Sequence, residues 1–209
     1  MKISKHVHSC LLIEEAGKVF LIDPGNYTVS ENALDLSSIP QLDYLLITHE
    51  HQDHTDLSLI KEIFAKFPEV KIFSNSSVAV ILEKEGIKVG TSGNELVTLE
   101  TVPHEKIFMS NTLAKNVMFT IAGKFSHPGD SHHFETSSAI LALPVQAPWG
   151  STTAAVELAV KLKPKVIIPI HDWHWNEKAR KSIYQRLEEY FRSLGIRFIG
   201  LETNEVVEV

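Results

Sequence analysis

The chain has 209 residues, with 26 acidic against 20 basic side chains and a formal charge of −6 when histidine is neutral. Its 44% hydrophobic and 22% charged fractions are those of an ordinary soluble globular protein with a sizeable core, and the acidic balance argues against a dedicated nucleic-acid binder. A lone cysteine, Cys10, excludes an internal disulfide and fits a reducing compartment, and no stretch nears the ~20 apolar residues of a membrane span, so one cytoplasmic domain over residues 1–209 is expected.

Lys2 and Lys5 precede an apolar run of only about five residues, too short for a secretory core. Residues 9–14 and 19–23 read as strands around Glu15-Ala16-Gly17-Lys18, a hairpin turn in which glycine can supply positive φ. Cys10 lies in the first of them, where a small buried residue is a better reading than a reactive thiol. Asp23-Pro24-Gly25-Asn26 stops the second strand, and the apolar run from Asp43 to Ile47 predicts a buried strand.

Directly after it comes Thr48-His49-Glu50-His51-Gln52-Asp53-His54. Three imidazoles and an aspartate so close together are donors that suit zinc, manganese or iron. Holding them side by side without a cation is costly. In an extended segment His49 and His51 point to one side and can grip one ion. Asp53 and His54 fall where the chain turns toward a helix, so they suit a neighbouring ion. A histidine-rich polar turn is the plain alternative, but turns draw on Gly, Asn and Pro.

Apolar residues recur at helical spacing over 55–67, ended by Pro68. A short strand over 71–74 leads to a helix over 78–85, with Ser76 or Ser77 as its cap and Gly86 as its stop. Strands are expected at 95–102, 117–122 and 139–143. The last third reads as a helix over 152–162 capped by Ser151, a buried strand over 166–170, and an amphipathic helix over 177–194 closed by Gly195. Residues 196–201 and 206–209 read as a final hairpin. Two αβ halves with their sheets face to face would bury both, which makes this an α/β chain.

Three further donors stand beyond apolar strands: His104, Asp130 in Pro128-Gly129-Asp130-Ser131, and His171 after Ile168-Pro169-Ile170. Together with the His-x-His-x-Asp-His run and Leu21-Ile22-Asp23-Pro24-Gly25, they give a pattern that resembles the metallo-β-lactamase superfamily. His8-Ser9-Cys10, Pro-Gly-Asp-Ser and Ile-Pro-Ile-His are similar to its ascorbate-6-phosphate lactonase-like branch, of which N-acyl-phosphatidylethanolamine phospholipase D is a more distant relative. The resemblance implies a four-layer αββα sandwich of two mixed sheets with helices outside. It also implies that His49, His51 and His104 hold one divalent ion and that Asp53, His54 and His171 hold another. Asp130 bridges the two, and Asp53 and Asp130 are the catalytic candidates. His127 is the rival of His104, which is better separated from Asp130. Asp23 is either a turn residue before proline or a carboxylate orienting a ligand imidazole. His8, His132, His133 and His174 read as core or surface histidines, although His8 and His174 flank motif strands. Trp149, Trp173 and Trp175 either wall a pocket or pack.

Two ions, zinc first with manganese or iron admissible, lower the pKa of a water held between them and steady charge on an attacked oxygen. The expectation is a hydrolase whose bridging hydroxide cleaves an ester, lactone or phosphoester of a small metabolite, with or without a phosphate group. No serine or cysteine triad, phosphate loop or dinucleotide fingerprint supports another mechanism. The alternatives are a phosphodiesterase or nuclease acting on RNA or nucleotides, and a non-catalytic metal-binding protein of the same fold. β-Lactam cleavage fits poorly without an export signal. A flavodiiron oxidoreductase would want carboxylates in place of histidines and a further flavin domain.

Overall fold

The strand Tyr44–Ile47 is buried along its whole length because both of its faces are covered. Tyr44 and Leu46 point into one apolar core, Leu45 and Ile47 into another. This residue pattern sets the layering of the whole molecule. The computed structural model describes residues 1–108 and 110–209. It contains two six-stranded sheets. The first is built from β1 (Lys2–Lys5), β2 (Leu11–Glu15), β3 (Lys18–Ile22), β4 (Tyr44–Ile47), β5 (Lys71–Ser74) and β12 (Val206–Glu208), in the order β12-β1-β2-β3-β4-β5. The second holds β6 (Val97–Thr101), β7 (Val117–Ile121), β8 (Phe125–His127), β9 (Ile140–Pro144), β10 (Val166–Ile170) and β11 (Arg197–Phe198), in the order β11-β10-β9-β8-β7-β6.

The central core joins Ile3, Ile13, Phe20 and Leu46 of the first sheet to Phe119, Phe125, Ala142 and Ile168 of the second. Beyond the short helix α1 (Asn26–Ser30), the outer face of the first sheet packs against α2 (Leu57–Lys66) and α3 (Ser76–Glu83) through Ile60, Ile63, Val78 and Leu82. The outer face of the second packs against α4 (Thr152–Leu162) and α5 (Glu177–Ser193) through Ala155, Leu158, Leu187 and Phe191. Helix, sheet, sheet, helix is the αββα sandwich that the resemblance implies, and it keeps the two face-to-face sheets that the apolar patterning leads one to expect. Among the described residues, no helix is long and apolar enough to cross a membrane.

The β2–β3 turn matches its reading, with Ala16 at φ 52° and Gly17 at φ 70° in a two-residue connection that suits the strand twist. Other expectations are corrected. The helix α3 starts at Ser76, and its cap is Asn75, whose side chain accepts from the backbone N–H groups of Ser77 and Val78. The strands β1 and β8 were not foreseen; each is short, and β8 carries His127. The two final strands do not form a hairpin. β11 runs parallel to β10 in one sheet, while β12 pairs antiparallel with β1 in the other. The turn-like residues between them carry the chain across from sheet to sheet.

Candidate metal centre

One direction of the strands determines where the polar residues gather. In the first sheet β1, β3 and β4 run the same way, as do β6, β8 and β10 in the second. Their carboxyl ends open at one edge of the sandwich. His8 follows β1, Asp23 follows β3, and His49 to His54 follow β4. His104, Asp130 and His171 follow β6, β8 and β10. Sites at strand carboxyl ends are the general habit of α/β folds. Residues in the left-handed region concentrate here too: Val7 (φ 84°), His8 (54°), Asp23 (47°) and His171 (65°). A β-branched valine in that region is a genuine outlier, the kind of strain that surrounding structure must hold in place.

The motif after β4 is a tight turn, not the extended segment expected. The N–H groups of His54 and Thr55 donate to the carbonyl of His51 at 2.9 and 2.8 Å, and the Thr55 hydroxyl donates to the carbonyl of His49 at 2.6 Å. The turn nevertheless brings His49 and His51 together, with Nε2 of the first 3.1 Å from Nδ1 of the second. Nε2 of His104 completes the group, 3.2 Å from that same Nδ1. Two glycines make room. A Cβ on Gly25 would stand 1.9 Å from the carbonyl oxygen of Asp53. Gly129 sits at φ 58°, and a Cβ there would lie 2.2 Å from Asn116 Oδ1 and 2.8 Å from Thr48 Cβ.

Side-chain donors form two groups, each with its ligand atoms within 4.8 Å of one another: His49, His51, His104 and Asp130; and His8, Asp53, His54 and His171. Asp130 faces both. Its Oδ1 lies 2.9 Å from Nε2 of His54 and 3.1 Å from Nε2 of His171. Its Oδ2 lies 3.6 Å from Nε2 of His104 and 3.9 Å from Nε2 of His49. The other oxygen partner of Asp130 is Trp149, whose indole N–H donates to Oδ2 at 2.8 Å. Asp53 Oδ2 stands 3.8 Å from both His54 Nε2 and His171 Nε2.

The far sides of the rings are anchored. His54 Nδ1 meets Asp23 at 2.7 Å, His104 Nδ1 meets the carbonyl of Glu105 at 2.6 Å, and His171 Nδ1 meets the carbonyl of Gln146 at 2.9 Å. His49 Nδ1 meets the Thr48 hydroxyl at 3.0 Å, and that hydroxyl donates to Asp23 at 2.8 Å. Asp23 is therefore the orienting carboxylate, not merely a turn residue. With their rear nitrogens bonded, these imidazoles present Nε2 lone pairs inward. His54 Nε2, His171 Nε2 and Asp130 Oδ1 are buried and converge, and among the described residues none of them makes a well-directed hydrogen bond despite separations of 2.9 and 3.1 Å. Such orphaned atoms are costly unless something fills the space between them. The donor set, neutral nitrogen with carboxylate oxygen, fits a divalent transition ion.

Charge at the site says the same. Burial pushes the His49 imidazole well below its ordinary range, and the neighbouring His54 adds to this. His8 is pushed down to about 3 by burial and by His171. Burial also acts on His54, but Asp130, Asp23 and Asp53 outweigh it and draw its pKa well above the usual value. Three carboxylates around one buried ring supply more negative charge than a neutral imidazole meets, which is the demand a cation answers.

His127 stays out of both groups. It is buried, with Nε2 on the carbonyl of Ser9 at 3.1 Å and Nδ1 accepting from Gly129, so it supports the loop that carries Asp130. His132 bonds the carbonyl of Pro144, and His133 pairs with Glu105. His174 lines the cavity above the centre, as do Asn26, Tyr27, Gln52, Pro148 and Trp149. That cavity is about 310 Å³. Tyr27 is stacked on Trp173, ring centres 3.8 Å apart, whereas Trp175 packs edge-on to Tyr184 away from the cavity. The sequence marks His8 as flanking a motif strand but favours a core or surface role for it; it stands instead beside Asp53, His54 and His171, for the same reason as the others, because it follows a strand pointing at this edge. The strand that aims it, β1, was not foreseen.

The beta-lactamase superfamily domain family matches residues 2–171 of this chain. Rv0786c, a protein of Mycobacterium tuberculosis, is 27% identical over 201 residues, covering 90% of this chain and 92% of its own length. A UPF0173 metal-dependent hydrolase of Geobacillus thermodenitrificans is 30% identical over 200 residues, covering 82% of this chain and 85% of its own. Among solved structures, Igni18, a metallo hydrolase from the archaeon Ignicoccus hospitalis, superposes with a TM-score of 0.71 at 19% identity, covering 99% of this chain and 97% of that one. The arrangement of strands and the match over most of its length place the chain in the beta-lactamase superfamily, within the UPF0173 metal-dependent hydrolase family.

Proposed function

We propose that this protein is a hydrolase working with two divalent ions, zinc first with manganese or iron admissible, on an ester, lactone or phosphoester bond of a small metabolite. His49, His51 and His104 hold one ion, and Asp53, His54 and His171 hold the other. Asp130 lies between them. The observation that carries this reading is the buried Asp130 carboxylate, with one oxygen directed toward the imidazoles of each group. Ions bound there supply a water of lowered pKa and positive charge beside the attacked oxygen.

The chain's own residues supply the rest. Asp23 and Thr48 fix which ring nitrogen of His54 and His49 faces inward. Trp149 holds the Asp130 oxygen that faces His104 and His49. Asp53, with its side chain 25% exposed, is the more open of the two carboxylates of the centre that line the cavity. Tyr27, Ile107, Pro148 and Trp149 give the cavity apolar walls, while Asn26, Gln52 and His174 give it neutral polar groups. A small molecule fits this space and a nucleic acid strand does not match the net acidity of the chain. Within the family, the ascorbate-6-phosphate lactonase-like branch is the reading we favour, and the lone buried thiol suits a cytoplasmic setting.

Metal analysis of the purified protein, together with a panel of lactones, carboxylic esters, phosphomonoesters and phosphodiesters, tests the proposal. Two equivalents of metal and turnover of one substrate class are expected, with both lost in Asp130→Ala. Full metal content and activity in that variant would sink the two-ion mechanism. A metal-loaded protein inert to every class would favour the non-catalytic alternative.

A further inference from the structure

His8 stands within ligand distance of Asp53, His54 and His171, and by distance alone it is a fourth ligand of that group. Its hydrogen bonding says otherwise. Each of the four imidazoles that aim Nε2 inward, those of His49, His54, His104 and His171, has a partner behind it at Nδ1. That partner takes the ring's one proton and leaves the Nε2 lone pair free. His51 differs in using Nδ1 inward, and it is only half-buried. Nδ1 of His8 is buried and, among the described residues, has no partner.

A neutral imidazole carries its proton on one nitrogen or the other. If Nε2 of His8 bound an ion, the proton would sit on Nδ1, a buried donor with nothing to meet. Orphaned donors of that kind are rare in folded proteins, and a lone pair left unmet is tolerated more readily. With the proton on Nε2, the ring donates to Asp53 Oδ2 at 3.3 Å. Among the described residues, this is the one hydrogen bond the Asp53 side chain receives.

We propose that His8 is a positioning residue for Asp53, donating its Nε2–H to the carboxylate and standing outside the metal's ligand set. The strained backbone serves that placement. Val7 and His8 both lie in the left-handed region, the carbonyl of His8 accepts from the N–H of His171 at 3.2 Å, and the two rings stand 4.0 Å apart. The donor is thereby tied to one ligand while it steers another. This inference rests on the two-ion reading above.

The test is NMR of the protein carrying nitrogen-labelled histidine and NMR-active cadmium. Five histidines, His49, His51, His54, His104 and His171, should each show a nitrogen coupled to cadmium. His8 should show Nε2 coupled to a proton and no coupling to cadmium. A sixth coupled ring, His8, overturns the inference and leaves the metal centre standing. No coupled ring at all overturns the metal centre, and the inference with it. A second arm compares His8→Gln, which keeps an N–H donor, with His8→Leu, which does not. Affinity for the second ion should stay close to wild type in the glutamine variant and fall about tenfold or more in the leucine variant. Equal losses in both also overturn it.

Discussion

Oδ2 of Asp23 lies 2.7 Å from Nδ1 of His54, and the same carboxylate accepts from the backbone N–H and the hydroxyl of Thr48 at 2.7 and 2.8 Å. Thr48 in turn takes the Nδ1 proton of His49. One fully buried side chain at the end of β3 therefore orients a histidine of each group, His54 directly and His49 through a hydroxyl. Asp23→Asn keeps the volume but turns one of the accepting oxygens into a donor facing another donor. Metal affinity should fall about tenfold to a hundredfold, as expected when the group behind a ligand imidazole is removed. Competition against a chelator measures it, and unchanged affinity at both sites would contradict the role.

Trp149 is the second support, acting on Asp130. Replacing it with Phe keeps an aromatic wall and removes the indole N–H that bonds Oδ2. A hydrogen bond to a charged group is worth about 1.5–3 kcal/mol, so kcat/KM on the substrate found in the panel should fall roughly tenfold to a hundredfold, given about 1.4 kcal/mol per decade. Metal content should hold, since His49, His51 and His104 remain. Loss of metal in step with activity would mean that Trp149 secures the ion and not the carboxylate's direction.

How far the sequence could be read depended on how local each signal was. The run from His49 to His54 is contiguous, and its donor chemistry needs no tertiary information. The apolar strand before it and the helix after it were equally plain, because periodicity is a local property. His104, Asp130 and His171 were separated by whole strands, and only resemblance joined them to the motif. His8 was legible only as a neighbour of a motif strand, not as a member of the centre. Its strand is four residues long, and its left-handed backbone at Val7 and His8 follows from no propensity of those residues. The same holds for the last two strands, whose placement in different sheets is decided by partners about 200 residues away in β1 and about 30 away in β10.

Gly25 tests the packing of the motif turn from its other side. A methyl group there would meet the Asp53 carbonyl oxygen at 1.9 Å and the His54 nitrogen at 2.6 Å, and both are backbone atoms that cannot step aside alone. Gly25→Ala should displace the turn carrying Asp53 and His54. The expected cost is about 1–3 kcal/mol of stability, the usual range for overpacking. The second ion should be lost before the first, because His49 and His51 lie earlier in the turn. Urea unfolding and metal titration read the two effects separately. An alanine variant with wild-type stability and two ions would show that the turn has room to give.

Cys10 gives a pH prediction. Burial pushes its thiol up to about 12, helped by the charge of Asp23 and opposed by a contact with Thr28. An unfolded cysteine loses its proton near ~8.5. Above that value the folded state holds a proton that the unfolded state has released, so stability falls as pH rises, by about 1.4 kcal/mol per pH unit. Between roughly pH 8.5 and pH 10 the loss attributable to this group is about 2 kcal/mol. Cys10→Ala should flatten the alkaline limb of the stability curve by that amount, while the raised Tyr184 hydroxyl acts equally in both proteins. Folded protein should also resist thiol reagents at neutral pH and react once unfolded. Identical alkaline slopes for wild type and variant would count against a buried, proton-retaining thiol.

Lys5 is the remaining buried charge near the centre, and it lies behind His171. Its Nζ meets Asp172 Oδ1 at 2.7 Å and the carbonyl of Pro169 at 3.0 Å, while the Tyr184 hydroxyl donates to Asp172 Oδ2 at 2.5 Å. Lys5 and Asp172 are both almost completely buried. Burial lowers the lysine pKa against the pull of Asp172. Lys5→Met leaves the buried Asp172 charge with only the Tyr184 hydroxyl and the Arg180 guanidinium 3.9 Å away, so the loss should approach the about 3–5 kcal/mol that breaking a buried pair costs. The double variant Lys5→Met, Asp172→Leu removes both charges and should recover most of that loss, since a buried pair replaced by apolar groups is often close to neutral. The coupling energy from the double-mutant cycle by urea unfolding is the measurement. Additive losses would mean that each residue acts alone; strong coupling with an unchanged metal affinity would mark the pair as a support of the fold beneath His171 and not of the ion it faces.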